Sequence, residues 1–255
     1  MSLAKYKIPM GELPQSIRES IKNDIKNCEF LGLKDAAHLH QKEPFSVGIY
    51  RNHNKEMLVT CITEMPEVTP RMIDWWFGWH LNESERYQLW HPKAHISASL
   101  KEDNSHFETD KEKYLNMDSY VSEYIGNELN NLCISFIEPK QFGFSDLNDE
   151  RETAICAHVR DMSNNISVAS ITHFVNQNAE GSRMQSSFWL GMNPTHTNSI
   201  LTLLIKPLLE SRLAKNFLVT DELARNLLIH CAEEMNHLVK FLPILFKDQT
   251  NSNNF

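Results

Sequence analysis

Apolar residues near the start of the chain recur at a helical spacing. In the stretch PQSIRESIKNDIKNCEF, Ile17, Ile21, Ile25 and Cys28 are separated by four, four and three residues. This spacing places the four side chains on one face of a helix, so it predicts an amphipathic helix in an N-terminal leader.

Two short helices are predicted further along. The stretch TPRMIDWWFGWH (69–80) offers Thr69 as the N-cap and Pro70 at the first helical position. The stretch ESERYQLW predicts a second helix, which ends before Pro92.

The last predicted helix is long and runs from about Asp221 to Phe241. Thr220 can cap its first turn, and the acidic Asp221 and Glu222 suit the positive N-terminal end of the helix dipole. Pro243 is expected to close the helix, and the polar tail DQTNSNNF is expected to fray.

Between these helices lie short segments with β character, joined mostly by polar residues or by glycine and proline. Consecutive strands at this density predict an antiparallel sheet. With the helices, they predict an α+β architecture in which a curved sheet wraps round the long C-terminal helix and leaves a cavity between them. The segments are FSVGIYR, EMLVTCITEMP, HISASL, SYVSEYI, LNNLCISFIEP, TAICAHVRD, SVASITHFVNQ and SRMQSSFWLG.

Composition narrows the class of protein. The chain has 255 residues, 41% of them hydrophobic and 23% charged, which is typical of a globular protein. A formal net charge of −8 without a basic run argues against a nucleic-acid partner. No apolar stretch reaches the length of a membrane span, and the N-terminus lacks the apolar core of a signal peptide. We therefore expect a soluble cytoplasmic protein whose five cysteines are free buried thiols.

The long helix carries an unusual set of polar residues among apolar neighbours, in LLIHCAEEMNHLVKFLP. His230 and Glu234 are four residues apart and so lie on one helical face, where an imidazole and a carboxylate can converge on one cation. Two simpler interpretations compete: a buried hydrogen-bonded pair, or a solvated face carrying Glu233 and Glu234. The stretch does not match the HExxH or HxxEH patterns of metalloproteases.

A second cluster strengthens the metal hypothesis. WHPKAH contains His91 and His95, and His95 would begin a strand. A catalytic zinc site needs about three protein ligands, which His95, His230 and Glu234 supply. A fourth ligand could be Glu123, in phase with Val121 and Ile125, although an exposed edge position is an equally good interpretation. The other acidic residue of this segment, Glu128, falls at a predicted turn.

Two further histidines are in phase with apolar residues. His80 follows Ile73, Trp76 and Phe77 on the Trp-rich helix, and His173 shares strand parity with Ile171 and Val175. This pattern favours core histidines whose hydrogen bonds are satisfied. The five tryptophans are interpreted as core or cavity wall, and such rings would suit a flat aromatic ligand.

Several unusual words occur in order between about residues 65 and 243: MIDWWFGWH, ERYQLWHPKAH, IGNELNNLCISFIEP, RMQSSFWLG and HCAEEMNHLVKFLP. In this combination the chain resembles the 2,4-diacetylphloroglucinol hydrolase family, which includes phloretin hydrolase. The resemblance implies a helix-grip catalytic domain, like that of plant pollen allergens and START-like lipid carriers. It also implies a zinc-dependent hydrolase that cuts a carbon–carbon bond between an acyl group and a polyhydroxylated aromatic ring.

The resemblance also implies roles for individual residues. The zinc ligands would be His95, Glu123, His230 and Glu234, with Glu128 as the alternative strand ligand. Three positions would face the substrate: Tyr87 would bind ring hydroxyls, Trp189 would contact the ring, and Ala98 stands where the family has an asparagine.

The expected reaction is a retro-Claisen hydrolysis, in which the ring carbon gains a proton and the ring leaves as an enolate. Besides Tyr87, the candidate catalytic groups are His91, Glu233 and His237, together with the carboxylate ligands themselves. The sequence leaves two other functions open. One is a non-catalytic carrier of an aromatic ligand, and the other is a metallohydrolase that acts on a different ketone or ester.

The organisation predicted for the chain has two parts. Residues 1–64 form an N-terminal segment that serves as a small subdomain or a dimer element, and residues 65–255 form the catalytic domain. A small aromatic ketone and, through the leader helix, a second copy of the chain are the expected partners.

Overall fold

The computed structural model describes residues 2–40, 45–192 and 218–251, together with Lys215. Within these residues the protein is a mixed α+β structure with a large curved antiparallel sheet, as the sequence predicts. The strands are β1 (Lys26–Asn27), β2 (Gly48–Arg51), β3 (Met57–Pro66), β4 (His95–Leu100), β5 (Asp118–Ile125), β6 (Glu128–Ile137), β7 (Glu152–Asp161), β8 (Ile166–Gln177) and β9 (Gly181–Leu190).

Helices lie before, between and after the strands. They are α1 (Gln15–Lys22), α2 (Ala36–Leu39), α3 (Pro70–His80), α4 (Ser84–Trp90), α5 (Asp221–Leu238) and α6 (Leu242–Asn251), with short 3-10 turns at Ala4–Tyr6, Leu33–Asp35 and Pro139–Phe142. None of the helices in the described ranges is long and apolar enough to cross a membrane.

One sheet contains all nine strands of the described residues, in the order β1-β2-β3-β9-β8-β7-β6-β5-β4. The pairing is antiparallel except between β1 and β2. From β4 to β9, each strand pairs with the next one along the chain. Short turns join β5 to β6, β7 to β8 and β8 to β9, while longer segments join β4 to β5 and β6 to β7. Strand β3 pairs along its whole length with β9, which is distant from it in the chain, and so joins β1 and β2 to the strands from β4 to β9.

Helix starts follow the predicted capping. The Thr69 hydroxyl accepts a hydrogen bond from the Met72 amide at 3.3 Å, and the Thr220 hydroxyl accepts one from the Leu223 amide at 3.1 Å. Each bond satisfies an amide that has no partner inside its helix. The starts of α3 and α5 are therefore confirmed.

Side chains pack on both faces of the sheet. On one face, α3, α5 and α6 form the main core; Leu228 and Met235 of α5 belong to the same buried cluster as Val59 of β3. On the other face, a smaller cluster contains Leu39, Phe142, Trp189 and their neighbours. Neighbouring residues of one strand therefore enter different cores, because strand side chains alternate between faces.

The C-terminal helix differs from the prediction. Helix α5 ends at Leu238 and α6 begins at Leu242, so Pro243 lies in the first turn of α6 and does not close α5. Proline is tolerated there because the first amides of a helix have no intrahelical acceptor. The fraying prediction is wrong for residues 248–251, which are helical; residues 252–255 lie outside the described residues.

The leader also differs from the prediction. Its helix ends at Lys22, and the chain then forms the short edge strand β1, so Ile25 and Cys28 are not on the helix. Cys28 is exposed, and the other four cysteines are buried free thiols. The domain boundary at residue 64 stays a prediction; β2 and β3 belong to the same sheet as the later strands.

Candidate metal centre and cavity

Four predicted ligands converge from three elements. His95 is the first residue of β4, and Glu123 of β5 is its partner across the two strands. His230 and Glu234 lie one turn apart on α5. All four side chains are buried. The alternative ligand Glu128 is exposed at the start of β6, so it is not part of this cluster.

The ligand atoms of His95, Glu123 and His230 all lie within 4.8 Å of one another, which suits a single cation, and Glu234 adds an oxygen beside the two imidazoles. The two Nε2 atoms of His95 and His230 are 3.3 Å apart. His95 Nε2 lies 3.6 Å from Glu123 Oε2 and 3.5 Å from Glu234 Oε2. His230 Nε2 lies 3.9 Å and 3.7 Å from the same two oxygens. Ligands bound tetrahedrally at ~2.0–2.1 Å would be about 3.4 Å from one another, so these atoms could hold zinc after small shifts.

The protonation of the two imidazoles supports the same conclusion. His95 Nδ1 donates to the Tyr87 carbonyl oxygen at 3.0 Å, and His230 bonds to the backbone of Tyr124. Burial lowers the pKa of His95 well below its usual value and that of His230 to about 3. Both rings are therefore neutral, and Nε2 of His95 is a bare acceptor that faces Nε2 of His230. Neutral imidazole is the form of histidine that binds a metal ion, so the residues fit one.

The two carboxyl groups respond to the same burial. Burial raises the pKa of Glu123, and burial together with the charge of Glu123 raises the pKa of Glu234 well above its usual range. A divalent cation would stabilise both as carboxylates, since buried charges are paired or bound to metal.

Tyr87 connects the metal ligands to the cavity. Its ring stacks on His95 with centroids 3.8 Å apart and an angle of 4°, and its hydroxyl donates to Glu123. Burial, followed by the charge of Glu123, raises the pKa of Tyr87 well above its usual value. The hydroxyl therefore stays protonated and orients a ligand carboxylate. Its predicted contact with a substrate hydroxyl stays a prediction.

The predicted catalytic groups His91, Glu233 and His237 lie behind the ligands. His91 Nδ1 accepts from the Ala94 amide at 3.1 Å, so Nε2 carries the proton that it shares with Glu233 at 3.1 Å. The His91 ring stacks on His230, with centroids 4.9 Å apart. His237 packs against Phe241, and burial lowers its pKa to about 4. None of these three side chains lines the cavity.

A cavity of about 170 Å³ opens beside the cluster, between the sheet and α5. Most of its wall is apolar and comes from β5 to β9, while Glu123, His230 and Glu234 form a polar patch on one side. Val168 at the rim is exposed, and Phe77, Phe136 and Ile155 at the other end are buried. The cavity therefore has one open end and one closed apolar end.

Two histidines that the sequence pattern assigns to the core lie at the closed end of the cavity. His80 and His173 both line the cavity, although their patterns favoured satisfied core histidines. Their phase with apolar neighbours correctly indicated an inward direction. It could not show that the space ahead of them is open, because that depends on how sheet and helices assemble.

Of two predicted substrate contacts, Trp189 faces away from the cavity, and Ala98 is not among the residues that line it. Trp189 points to the opposite face of the sheet, where its indole N–H donates to the Leu31 carbonyl at 3.0 Å. Its predicted contact is wrong because strand side chains alternate; its neighbours Phe188 and Leu190 line the cavity instead. Ala98 is buried in β4 and bonds through its backbone to the Ser84 hydroxyl, outside the cavity lining.

Comparisons with known proteins find the same family that the sequence motifs resemble. The family model described as DAPG hydrolase PhiG domain matches residues 32–247. The chain is 32% identical over 196 residues to 2,4-diacetylphloroglucinol hydrolase of Pseudomonas protegens, covering 72% of this chain and 62% of that protein. It is 26% identical over 202 residues to phloretin hydrolase of Eubacterium ramulus, covering 76% of this chain and 69% of that protein.

The chain therefore spans less than two thirds of the first of these relatives. Among solved structures, the one titled Crystal structure of Ara h 8.0201 aligns with 64% of this chain and 98% of its own, at 9% identity and a TM-score of 0.33.

Proposed function

Because the chain belongs to the DAPG hydrolase PhiG family, we propose that it is a zinc-dependent hydrolase acting on acylated, polyhydroxylated aromatic rings. The bond cleaved is the carbon–carbon bond between the acyl group and the ring. One observation carries the proposal: two neutral imidazoles and two carboxyl groups converge at the side of a mostly apolar cavity that is open at one end.

His95, Glu123, His230 and Glu234 would hold the metal. Zinc suits a mixed nitrogen and oxygen donor set, and when bound it supplies Lewis acidity and a water of lowered pKa. Tyr87 holds Glu123 in place through its hydroxyl, and the Tyr87 carbonyl fixes the tautomer of His95. The metal geometry therefore depends on one tyrosine twice.

The residues of the cavity would perform the remaining work. Hydrolysis adds water across the bond: the acyl carbon gains the hydroxyl and leaves as a carboxylic acid, and the ring carbon gains the hydrogen. Glu123 and Glu234 line the cavity, so either carboxylate would be placed to pass that proton to the ring carbon. The apolar wall from β5 to β9 would hold the ring and exclude bulk water.

The finer description of the fold as a helix grip is part of the same proposal, supported by the position of α5 against β3 on the inner face of the sheet. The homodimer and the cytoplasmic location stay predictions.

The deciding experiment is metal analysis by plasma emission on protein purified without a metal-affinity tag. We expect about one zinc per chain, as a mononuclear site requires. Glu234→Ala should remove it, and Glu222→Ala, an exposed position on the same helix, should not. Acetylated phloroglucinols are then incubated with the zinc-loaded protein, and the released ring and acid are quantified by chromatography.

Three outcomes separate the candidate functions. Zinc with turnover of these ketones supports the proposal. Zinc without turnover favours a metallohydrolase for another ketone or ester. No metal uptake by the folded wild type, even with zinc added, favours a non-catalytic carrier.

A further inference from the structure

His80 places one polar side chain at the closed end of the apolar cavity. It is the last residue of α3, is almost fully buried, and lines the same cavity as Glu123, His230 and Glu234. His80 has no role in the proposed metal binding or proton transfer.

The tautomer of His80 follows from its one hydrogen bond. Its Nδ1 lies 2.7 Å from the Trp76 carbonyl oxygen, which can only accept, so Nδ1 carries a hydrogen. Burial lowers the pKa of His80 to about 3, so the ring is neutral near pH 7. The other nitrogen, Nε2, is therefore a bare acceptor.

The ring is also held in one orientation. It stacks on Trp76 with centroids 4.9 Å apart and an angle of 16°, and Trp90 packs edge-on against it at 5.1 Å. A locked ring with one free acceptor can distinguish a ligand that carries a hydrogen-bond donor from one that does not.

The position of His80 relative to the metal ligands determines which hydrogen-bond donor of a bound ligand lies near it. The Tyr87 ring lies between them, 3.8 Å from His95 on one side and 6.1 Å from His80 on the other, all nearly parallel. A ligand whose acyl group is held at the metal ligands would extend along the Tyr87 ring towards His80, since all these residues line or border one cavity.

We propose that His80 is a specificity-determining residue whose Nε2 accepts a hydrogen bond from the ring hydroxyl opposite the acyl group. The identity of the ligand rests on the proposed function. Because a buried acceptor without a donor is destabilising, the site would reject rings that lack this hydroxyl.

His173 is the competing reader of the same hydroxyl. It also lines the closed end, where its ring centroid lies 5.9 Å from that of Phe77. Its Nδ1 bonds to the Ser186 hydroxyl at 2.8 Å, and since that hydroxyl can donate or accept, this contact does not fix the tautomer. His173→Phe is therefore the matched control for His80→Phe.

The test uses two ligand pairs with zinc-loaded protein. The first pair is acetylphloroglucinol and its analogue without the hydroxyl opposite the acetyl group, compared by kcat/KM. The second pair consists of the corresponding ethyl compounds, which have no ketone to hydrolyse, compared by calorimetric Kd. Wild type should favour the trihydroxylated member of each pair by about tenfold or more.

His80→Phe should bring both ratios close to one, and His173→Phe should leave them unchanged. His80→Gln, which keeps an acceptor oxygen, should retain part of the preference. Should His80→Phe fail to fold, His80→Met removes the acceptor with a more adaptable side chain.

Two results would overturn the inference: a full preference in folded His80→Phe, or a preference lost only in His173→Phe. Absence of turnover with both ketones, combined with a His80-dependent ratio for the ethyl pair, would refute the proposed hydrolysis and still support the binding role of His80.

Discussion

Replacing Tyr87 with phenylalanine removes a single hydroxyl, and the structure places that hydroxyl on Glu123 instead of in open cavity. A hydrogen bond to a charged group contributes ~1.5–3 kcal/mol, and groups that orient metal ligands typically change metal affinity by ~10–100-fold. We therefore expect Tyr87→Phe to weaken zinc binding by about 10–100-fold, because Glu123 loses the donor that orients it.

Competition with a chromophoric zinc chelator at fixed pH measures this change directly. The matched control is Tyr114→Phe, since Tyr114 is also buried and donates to a buried carboxylate, Asp74, at 2.7 Å. Both variants lose a tyrosine–carboxylate bond, but only Tyr87 touches a proposed ligand. Tyr114→Phe should lower the free energy of unfolding and leave zinc affinity unchanged.

Activity at saturating zinc separates the two roles of Tyr87. If it only orients Glu123, most of the activity returns once zinc is saturating. If it also binds a ring hydroxyl, kcat/KM stays tens- to hundredfold lower. Equal zinc affinity in folded wild type and Tyr87→Phe would refute the orienting role.

Three other predictions concern stability and the cavity. Burial lowers the pKa of His173 to about 3, so between roughly pH 6.5 and 3 the unfolded chain binds a proton that the folded protein does not. The contribution of His173 to the free energy of unfolding is complete above pH 6.5 and falls by about 1.4 kcal/mol per pH unit below it. His173→Phe should therefore reduce the pH dependence of the free energy of unfolding by the equivalent of about one proton. Denaturant unfolding at pH 7, 6 and 5 measures this dependence, and an unchanged pH dependence in the variant would contradict the prediction. Ala157→Phe should fill the cavity and weaken ketone binding about tenfold or more, while the zinc content stays constant. An unaltered KM would contradict the placement of the ligand in this cavity. Thr220→Ala removes the cap of α5 and should lower the free energy of unfolding by about 1 kcal/mol, seen as a shifted urea midpoint.

Two differences between prediction and structure have separate causes. The contact of Trp189 is implied by resemblance alone, and the alternation of side chains along β9 places Trp189 on the face opposite the cavity. The apolar pattern of α5 continues into α6, so it does not mark the end of α5 at Leu238, and Pro243 is compatible with the first turn of α6. Periodicity alone does not distinguish one long helix from two consecutive ones.

Local order in the sequence determined the helix starts at Thr69 and Thr220, the run of antiparallel strands, and the pairing of His230 with Glu234 on one helical face. These features depend on residues within a few positions of one another, so backbone periodicity and capping are sufficient to predict them. Only the tertiary structure decided that β4, β5 and α5 bring their polar residues within 4 Å, and that His80 faces open space. Both depend on strand order and on how α5 lies against the sheet, and such long-range contacts leave no periodic signal in the chain.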